Sequence, residues 1–514
     1  MASTCSVMSR VSTCRRAIRF SSFGGYFNGK IRQSSSSHLF KLNSASTTAS
    51  ASTSTSTSSS SSTASSAAAT SGTNVVDVLR SRGLVEAMTD EDAMRAAASA
   101  ASTKPLTVYC GFDPTAPSLH LGNLLGIVVL AWFQKCGHNV VALCGGATAR
   151  VGDPSGKSAE RPVLSEEALA TNVDGITDTL GSLLRRAGGE ENVKVLDNMS
   201  WYGSMSLLEF LREVGKNARV GVMMAKDSVK TRLEGEGMSY TEFTYQLLQG
   251  YDFYMLRREH GVTVQIGGSD QWGNITAGTD LIRRLEVGDA ETDDDADGEL
   301  SARLAHGLTF PLLLKSDGTK FGKSESGAVW LRKDALSPYD FYQYLYRTAD
   351  ADVVRLLKSL TFVDLDEIDR LAQTLGDNEA QRVLASEVTR FVHGDEGLAE
   401  ALKVTQAMAP GKKVAGESGV DGDTLRAIVS AGGAPVVDIA RSNVVGQPYI
   451  NVLVEAGLAK SKGEARRLVK GGGARLNEEV VKEEMYMLKD DDIIDDELLM
   501  VGSGKKKKVV VNLT

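Results

Sequence analysis

Four short β-branched runs, at 106–110, 140–143, 193–196 and 262–266, alternate with helical segments and constrain this chain more than any other feature. Short β-branched runs separated by helical segments read as strands joined by helical crossovers. Such crossovers cover both faces of the sheet when the strands they join run parallel. The span from about 105 to 286 is therefore read as α/β, an open parallel sheet with helices on both sides. In such folds ligands sit beyond the carboxyl ends of the strands, where strand order reverses. Gly111, Gly145, Gly146, Gly267 and Gly268 lie at or just after the ends of these runs. That is where close approach of backbone to a ligand is wanted.

The first of these turns is the richest. Tyr-Cys-Gly-Phe-Asp-Pro-Thr (109–115) and His-Leu-Gly-Asn (120–123) connect the first run to an apolar-periodic segment over 121–135. This spacing predicts a strand, a tight turn and a helix whose N-terminus faces the turn. Backbone N–H groups and the positive end of the helix dipole converge there, which suits a phosphate. Far downstream, Lys-Phe-Gly-Lys-Ser (320–324) offers two cations able to close over that phosphate from the other side. A nucleotide site is the reading. Gly152-Asp-Pro-Ser-Gly-Lys-Ser158 only imitates a P-loop, because its glycines enclose three residues where four are needed.

Composition matters at the two ends. No Asp or Glu precedes Asp77, whereas Arg10, Arg15, Arg16, Arg19, Lys30, Arg32 and Lys41 do, and 34–73 is mostly Ser, Thr and Ala. Residues 1–73 are expected to be an organelle transit peptide and linker, with a plain disordered tail as the alternative. Removing those seven cations from a net charge of −8 leaves −15, so nonspecific nucleic-acid binding is disfavoured and RNA contacts need local basic patches. Cys110, Cys136 and Cys144 lack zinc spacing, and no metal site is expected. No run is long enough to span a bilayer. The acidic stretch 289–299 opens like a calcium loop, but its twelfth position is Leu304, so a solvated loop is expected.

Residues 75–98 read as two amphipathic helices joined near Gly83, and 337–403 turns helical. Residues 410–445 look like a linker with a little structure of its own. In the last unit, Ser461 and Glu464 form a capping box that opens a basic helix with Arg466, Arg467 and Lys470, followed by a final strand near 509–511. A basic helix beside a small sheet is either an RNA surface or an ordinary solvated helix.

Six segments in this order carry a resemblance: 109–115, 120–123, Gly145-Gly-Ala-Thr148 with Gly152-Asp-Pro154, Tyr245-x-x-x-Gln249-x-x-Asp252, Gln265-Ile-Gly-Gly-Ser-Asp-Gln-Trp-Gly-Asn274, and 320–324. Over about 105–350 the chain resembles the tyrosyl-tRNA synthetases of bacterial and organellar type. The resemblance implies a class I Rossmann-like catalytic domain at 74–336 with a dimer-interface insertion near 200–240. It also implies a helical anticodon-side domain at 337–435 and a small α+β RNA-binding domain of ribosomal-protein type at 446–514. The reaction implied is activation of L-tyrosine by ATP, with Mg²⁺ accompanying the phosphates, and transfer to tRNA(Tyr) by a homodimer in chloroplast or mitochondrion. Positioning and charge stabilisation suffice for that chemistry.

The resemblance also distributes roles. Thr115, His120, Lys320, Lys323 and Ser324 are expected around the phosphates, with Lys157 and Arg161 as possible helpers on a mobile loop. Tyr109 and Asp252 should read the phenol; Asp153, Tyr245 and Gln249 the ammonium; Asp113 and Gln271 the carboxylate end. Cys110, Gly111, Asn123, Gly267 and Asp270 should meet the nucleoside, together with His120 and Lys323, although Cys110 could be an inert core thiol. Asn123 and Phe321-Gly322 depart from the HIGH and KMSKS patterns. Two rivals remain at this point: the tryptophanyl enzyme, and an RNA-binding protein on an inactive synthetase scaffold.

Overall fold

The computed structural model describes residues 73–514 except 100–103, 158, 163, 287–304, 325–326, 409–421, 431 and 505–506. The expected transit segment, the acidic stretch 289–299, the side chain of Ser324, and Lys505 and Lys506 lie outside the described residues.

The alternation of runs and helices folds as its periodicity requires. The central sheet contains β1 (Ala87–Met88), β2 (Thr107–Phe112), β3 (Asn139–Cys144), β4 (Val193–Asp197), β5 (Val264–Gly268) and β6 (His306–Phe310), in the order β1-β6-β5-β2-β3-β4. All pairings are parallel except that of β1 with β6 at the edge. The four expected runs are β2 to β5. Each observed strand starts or ends one or two residues from its expected bounds. The chain passes from β2 to β3 on one side and, after β4, returns to β5 on the other. Strand order therefore reverses between β2 and β5, and a crevice opens at their carboxyl ends.

α1 (Leu121–Lys135) occupies the expected span, and α2 (Glu166–Gly188) joins β3 to β4. α1 is apolar nearly all round because it is covered on all sides: Leu121, Leu124, Ile127, Val128, Leu130 and Phe133 are fully buried. One core joins α1, one face of the sheet and the helices at Pro338–Tyr346, Asp350–Leu360, Leu365–Ala372 and Glu379–Met408, the last broken at Gly394. A second core fills the opposite face of the sheet around Tyr109, Val141, Trp201 and Phe253. The two expected N-terminal helices are Val75–Ser81 and Glu91–Ala98.

Arg82 clamps the helical region to α1. Its guanidinium donates to the carbonyls of Lys358 (3.3 Å), Thr361 (3.1 Å) and Val363 (2.7 Å) and lies 4.2 Å from the Trp132 ring centroid. Burial holds its pKa down at about 10, so it remains a cation at neutral pH. Arg82→Ala would leave these carbonyls without that donor. We expect it to lower the unfolding free energy by about 2–3 kcal/mol. A denaturation midpoint that does not move would show the clamp to be idle.

The terminal sheet runs Glu479–Val480, Ala474–Leu476, Leu498–Ser503, Lys507–Leu513, Val436–Ile439, with the last pair parallel. Here the expectation is corrected. Residues 436–439, read as linker, form a strand of this sheet, so the terminal unit begins before residue 446. Its partner is the last strand of the chain, a pairing that local pattern does not reveal. The basic helix is Lys462–Lys470, capped by the Ser461 hydroxyl, which accepts from Glu464 N–H. Glu464 reaches back to the N–H of Lys460 rather than that of Ser461. Arg466, Arg467 and Lys470 are exposed. No helix among the described residues is long and apolar enough to cross a membrane.

Candidate functional site

Two segments separated by about two hundred residues meet at the N-terminus of α1. Leu121 N–H donates to Val329 O (2.8 Å), Val329 N–H donates to Gly322 O (2.9 Å), and His120 bridges to Trp330. Gly322 has φ +91° and sits so close that an added Cβ would lie 3.1 Å from Leu121 Cβ and 3.2 Å from the Gly122 nitrogen. Only glycine meets both demands there. Phe321, which stands where the common signature has Met, is buried against Tyr344, whose hydroxyl accepts from Gly322 N–H at 2.9 Å. Lys323 is thus presented on a short two-stranded pairing, Lys323–Ser324 with Gly327–Ala328, and Lys320 before it bridges to Leu314.

A cavity of about 580 Å³ opens at the strand-order switch, and every expected small-molecule site residue whose side chain is described lines it. At one end stand Lys157, Arg161, Lys320 and Lys323. Burial and the three neighbouring cations lower the pKa of Lys157. His120 is also held below its ordinary value, by burial first and then by Lys323, Lys157 and Lys320. Its imidazole is therefore neutral at pH 7, and its Nδ1 is buried without a hydrogen-bond partner. Asn123 Oδ1 accepts from the His120 backbone N–H (3.1 Å). Thr115 lines the cavity from the loop before α1, five residues short of the N-cap His120, rather than at the helix N-terminus itself.

The other end is a buried polar pocket. α3 (Tyr240–His260) presents Tyr245, Gln249 and Asp252 at successive turns, as their spacing requires. Asp252, 2% exposed, accepts from Trp201 Nε1 (2.9 Å) and Asn198 Nδ2 (3.1 Å), and burial pushes its pKa up to about 8. Tyr109 is 1% exposed, and its hydroxyl has no partner. A buried hydroxyl left unpaired is costly, so this one is poised for a ligand group. Burial, with Asp252 next, raises its pKa well above the ordinary value, so it stays protonated.

Between the two ends lies an acidic waist. Asp113 accepts from the hydroxyls of Tyr245 (2.8 Å) and Thr148 (2.8 Å), and burial pushes its pKa up to about 6. It therefore stands paired with Tyr245 at this waist. The carboxylate end assigned to it from the resemblance would set one anion against another. Asp153 accepts from Ser155 N–H (3.0 Å) and Gln271 Nε2 (2.8 Å). An added Cβ at Gly145 would lie 2.0 Å from Asp113, which explains that glycine. A Cβ at Gly267 would meet Gln271 Cβ at 3.0 Å and Ile275 at 3.2 Å, so the turn's own packing also favours glycine there. Cys110 lines the cavity as a neutral thiol, its pKa pushed up to about 12 by burial.

Sequence reasoning missed Asn198 and Trp201, which hold Asp252, and assigned no part to Thr148 or Asn274. Asn198 and Trp201 follow directly on β4, at a strand's carboxyl end, and that placement was the available signal. Trp272 is half-buried and lines a neighbouring cavity. Among the described residues, no group of three His, Cys, Asp or Glu could hold a metal ion.

Comparisons with known proteins agree on the family. Residues 101–409 match the family described as tRNA synthetases class I (W and Y), and residues 430–511 match the tyrosine–tRNA ligase SYY-like C-terminal domain. The chain is 53% identical over 413 residues to the chloroplastic/mitochondrial tyrosine–tRNA ligase of Arabidopsis thaliana, covering 79% of this chain and 76% of that one. It is 49% identical over 411 residues to the tyrosine–tRNA ligase of Protochlamydia amoebophila, covering 79% and 91%. Among solved structures, a C-terminally truncated mitochondrial tyrosyl-tRNA synthetase of Aspergillus nidulans aligns with a TM-score of 0.57 at 33% identity, covering 64% and 92%. The chain belongs to the class I tRNA synthetases of the tryptophan and tyrosine type.

Proposed function

We propose that the chain is a tyrosine–tRNA ligase of organellar translation. It joins L-tyrosine to ATP as tyrosyl adenylate and passes the tyrosyl group to the terminal ribose of tRNA(Tyr). The observation that carries this reading is the far end of the cavity, where the unpaired hydroxyl of Tyr109 and the carboxylate of Asp252 converge. A phenol supplies one oxygen to accept and one proton to donate, matching both groups. An indole N–H offers no accepting oxygen, which disfavours tryptophan. The names of the relatives above support the same choice.

In the first step the tyrosine carboxylate attacks the α-phosphorus of ATP and pyrophosphate departs. Asp153, Asp113, Tyr245 and Gln249 hold the ammonium, and Gln271 orients the carboxylate end. Cys110, Gly111, Asn123, Gly267 and Asp270 line the nucleoside end. Lys320, Lys323, Lys157 and Arg161 take up the charge that develops on the leaving phosphates, while Thr115 and neutral His120 donate hydrogen bonds. Ser324 is assigned to the same group. Mg²⁺ enters as part of the ATP substrate.

The exposed apolar side chains Leu207 (70%), Leu208 (78%), Val220 (60%) and Tyr240 (71%) support a homodimer through the 200–240 segment. Arg466, Arg467 and Lys470 form the basic face offered to tRNA. The acid-free N-terminal segment supports import into chloroplast or mitochondrion.

Tyrosine-dependent exchange of pyrophosphate into ATP tests the reading. Stimulation by tyrosine but not by tryptophan is expected; stimulation by neither would favour the inactive scaffold. The pH dependence follows from Asp252. The carboxyl, pushed up to about 8 in the free protein, must be ionised to accept the phenol proton. The tyrosine KM should therefore fall by at most about tenfold per pH unit from pH 6.5 and level off above about pH 8. A KM that rises over that window would reverse the assigned proton positions.

A further inference from the structure

We propose that Asn274 is a positioning residue that sets the acceptor face of the amino-group pocket, an inference that rests on the tyrosine reading above. Asn274 is the third residue of α4 (Trp272–Glu286) and is 2% exposed. Its Nδ2 lies 3.0 Å from Gln249 Oε1, 3.2 Å from Gln271 Oε1, 3.3 Å from Asp153 Oδ1 and 3.2 Å from Ser155 Oγ. One NH2 group therefore draws together oxygens from α3, from the turn after β5 and from the loop after β3. Gln271 is fixed at both ends of its amide, since its Nε2 donates to Asp153 Oδ2 at 2.8 Å.

The consequence lies in the sign of the groups offered to the substrate. A primary ammonium has three donors and no acceptor, so it needs oxygens around it. A glutamine amide has nearly the same shape in either orientation but offers oxygen in one and N–H in the other. Held by Asn274, Gln249 keeps its carbonyl oxygen at the acidic waist, with a second lone pair left for the ammonium. Without that NH2 the amide of Gln249 can turn and set an N–H against the ammonium, whereas Gln271 keeps its orientation through its own bond to Asp153. Asn274→Asp keeps the side-chain shape, replaces the donor with an acceptor, and faces four oxygens with a fifth. The damage should therefore fall on recognition of the amino group and spare the phenol and the nucleotide.

Two analogues separate these effects as competitive inhibitors of the exchange reaction in the full-length protein. L-tyrosinol keeps the ammonium and phenol; 3-(4-hydroxyphenyl)propionate keeps the phenol and carboxylate. In Asn274→Asp and Asn274→Ala, the tyrosine KM and the tyrosinol inhibition constant are expected to rise about tenfold or more, while the propionate constant and the ATP KM stay within about twofold. A parallel rise of all four constants would make Asn274 a merely structural residue and overturn the proposal, as would no rise at all. Two variants of different bulk guard against loss of one to misfolding. Wild-type protein that shows no tyrosine-dependent exchange would overturn the ligase reading itself, an outcome distinct from either.

Discussion

Lys323→Ala is expected to lower the turnover of the exchange reaction by about 10²- to 10³-fold while leaving the tyrosine KM nearly unchanged. The lysine is exposed at the mouth of the cavity, on a hairpin braced by buried Phe321 and by Gly322 against α1. It lies at the opposite end of the cavity from Tyr109 and Asp252, so it contributes little to the ground-state binding of the amino acid. Charge grows on the β- and γ-phosphates only as pyrophosphate departs, and a fixed cation there acts on the transition state more than on the substrate. His120 cannot replace that charge, because burial and the surrounding cations keep its imidazole neutral. A Lys323→Ala variant that retains full turnover would remove this lysine from the chemistry. One that loses only tyrosine affinity would place the hairpin at the wrong end of the cavity.

Asp252→Asn is expected to reduce kcat/KM for tyrosine by about 100-fold while leaving the far weaker use of phenylalanine nearly unchanged. Both oxygens of Asp252 accept from N–H groups, one from Trp201 and one from Asn198. An asparagine at this position has only one oxygen to offer. Whichever way its amide turns, its own NH2 faces a donor, and the phenol loses a charged acceptor. Phenylalanine has no hydroxyl and gains nothing from the wild-type carboxylate, so its rate serves as the internal control. The measurement is kcat/KM for each amino acid in exchange, at a pH above about 8 where the wild-type carboxyl is ionised. Equal losses for both amino acids would show that Asp252 holds α3 in place rather than reading the ring.

How much of this could be read from the chain alone differs by element, for physical reasons. β2 to β5 and α1 were legible because β-branched runs and a 3.6-residue apolar period are local signals. β6, His-Gly-Leu-Thr-Phe (306–310), was not. A Cβ at Gly307 would lie 2.4 Å from Ile275 Cγ2, so packing of α4 imposes the glycine that weakens the strand signal. The parallel partnership of Val436–Ile439 with the final strand was hidden for a similar reason, since no local pattern reports a pairing across more than seventy residues.

In the site, the cationic end and the α3 face were legible from motif and spacing. The bonds of Asp113 to Tyr245 and Thr148 were not legible, because those partners come from separate elements. Asn198, Trp201 and Asn274 act by hydrogen bonds to other side chains, which leave no periodic trace in a sequence.

The central claim is that one cavity, closed at the phosphate end by lysines and at the other by Tyr109 and Asp252, makes an adenylate of a hydroxylated aromatic amino acid. Incubating the purified protein with ATP, pyrophosphatase and one amino acid at a time, then identifying the bound adenylate by mass spectrometry, tests it most directly. Tyrosyl adenylate at about one per active site is the expected result, with none from tryptophan and only slow, trace formation from phenylalanine. No adenylate with any amino acid, or one formed with tryptophan in place of tyrosine, would contradict the account.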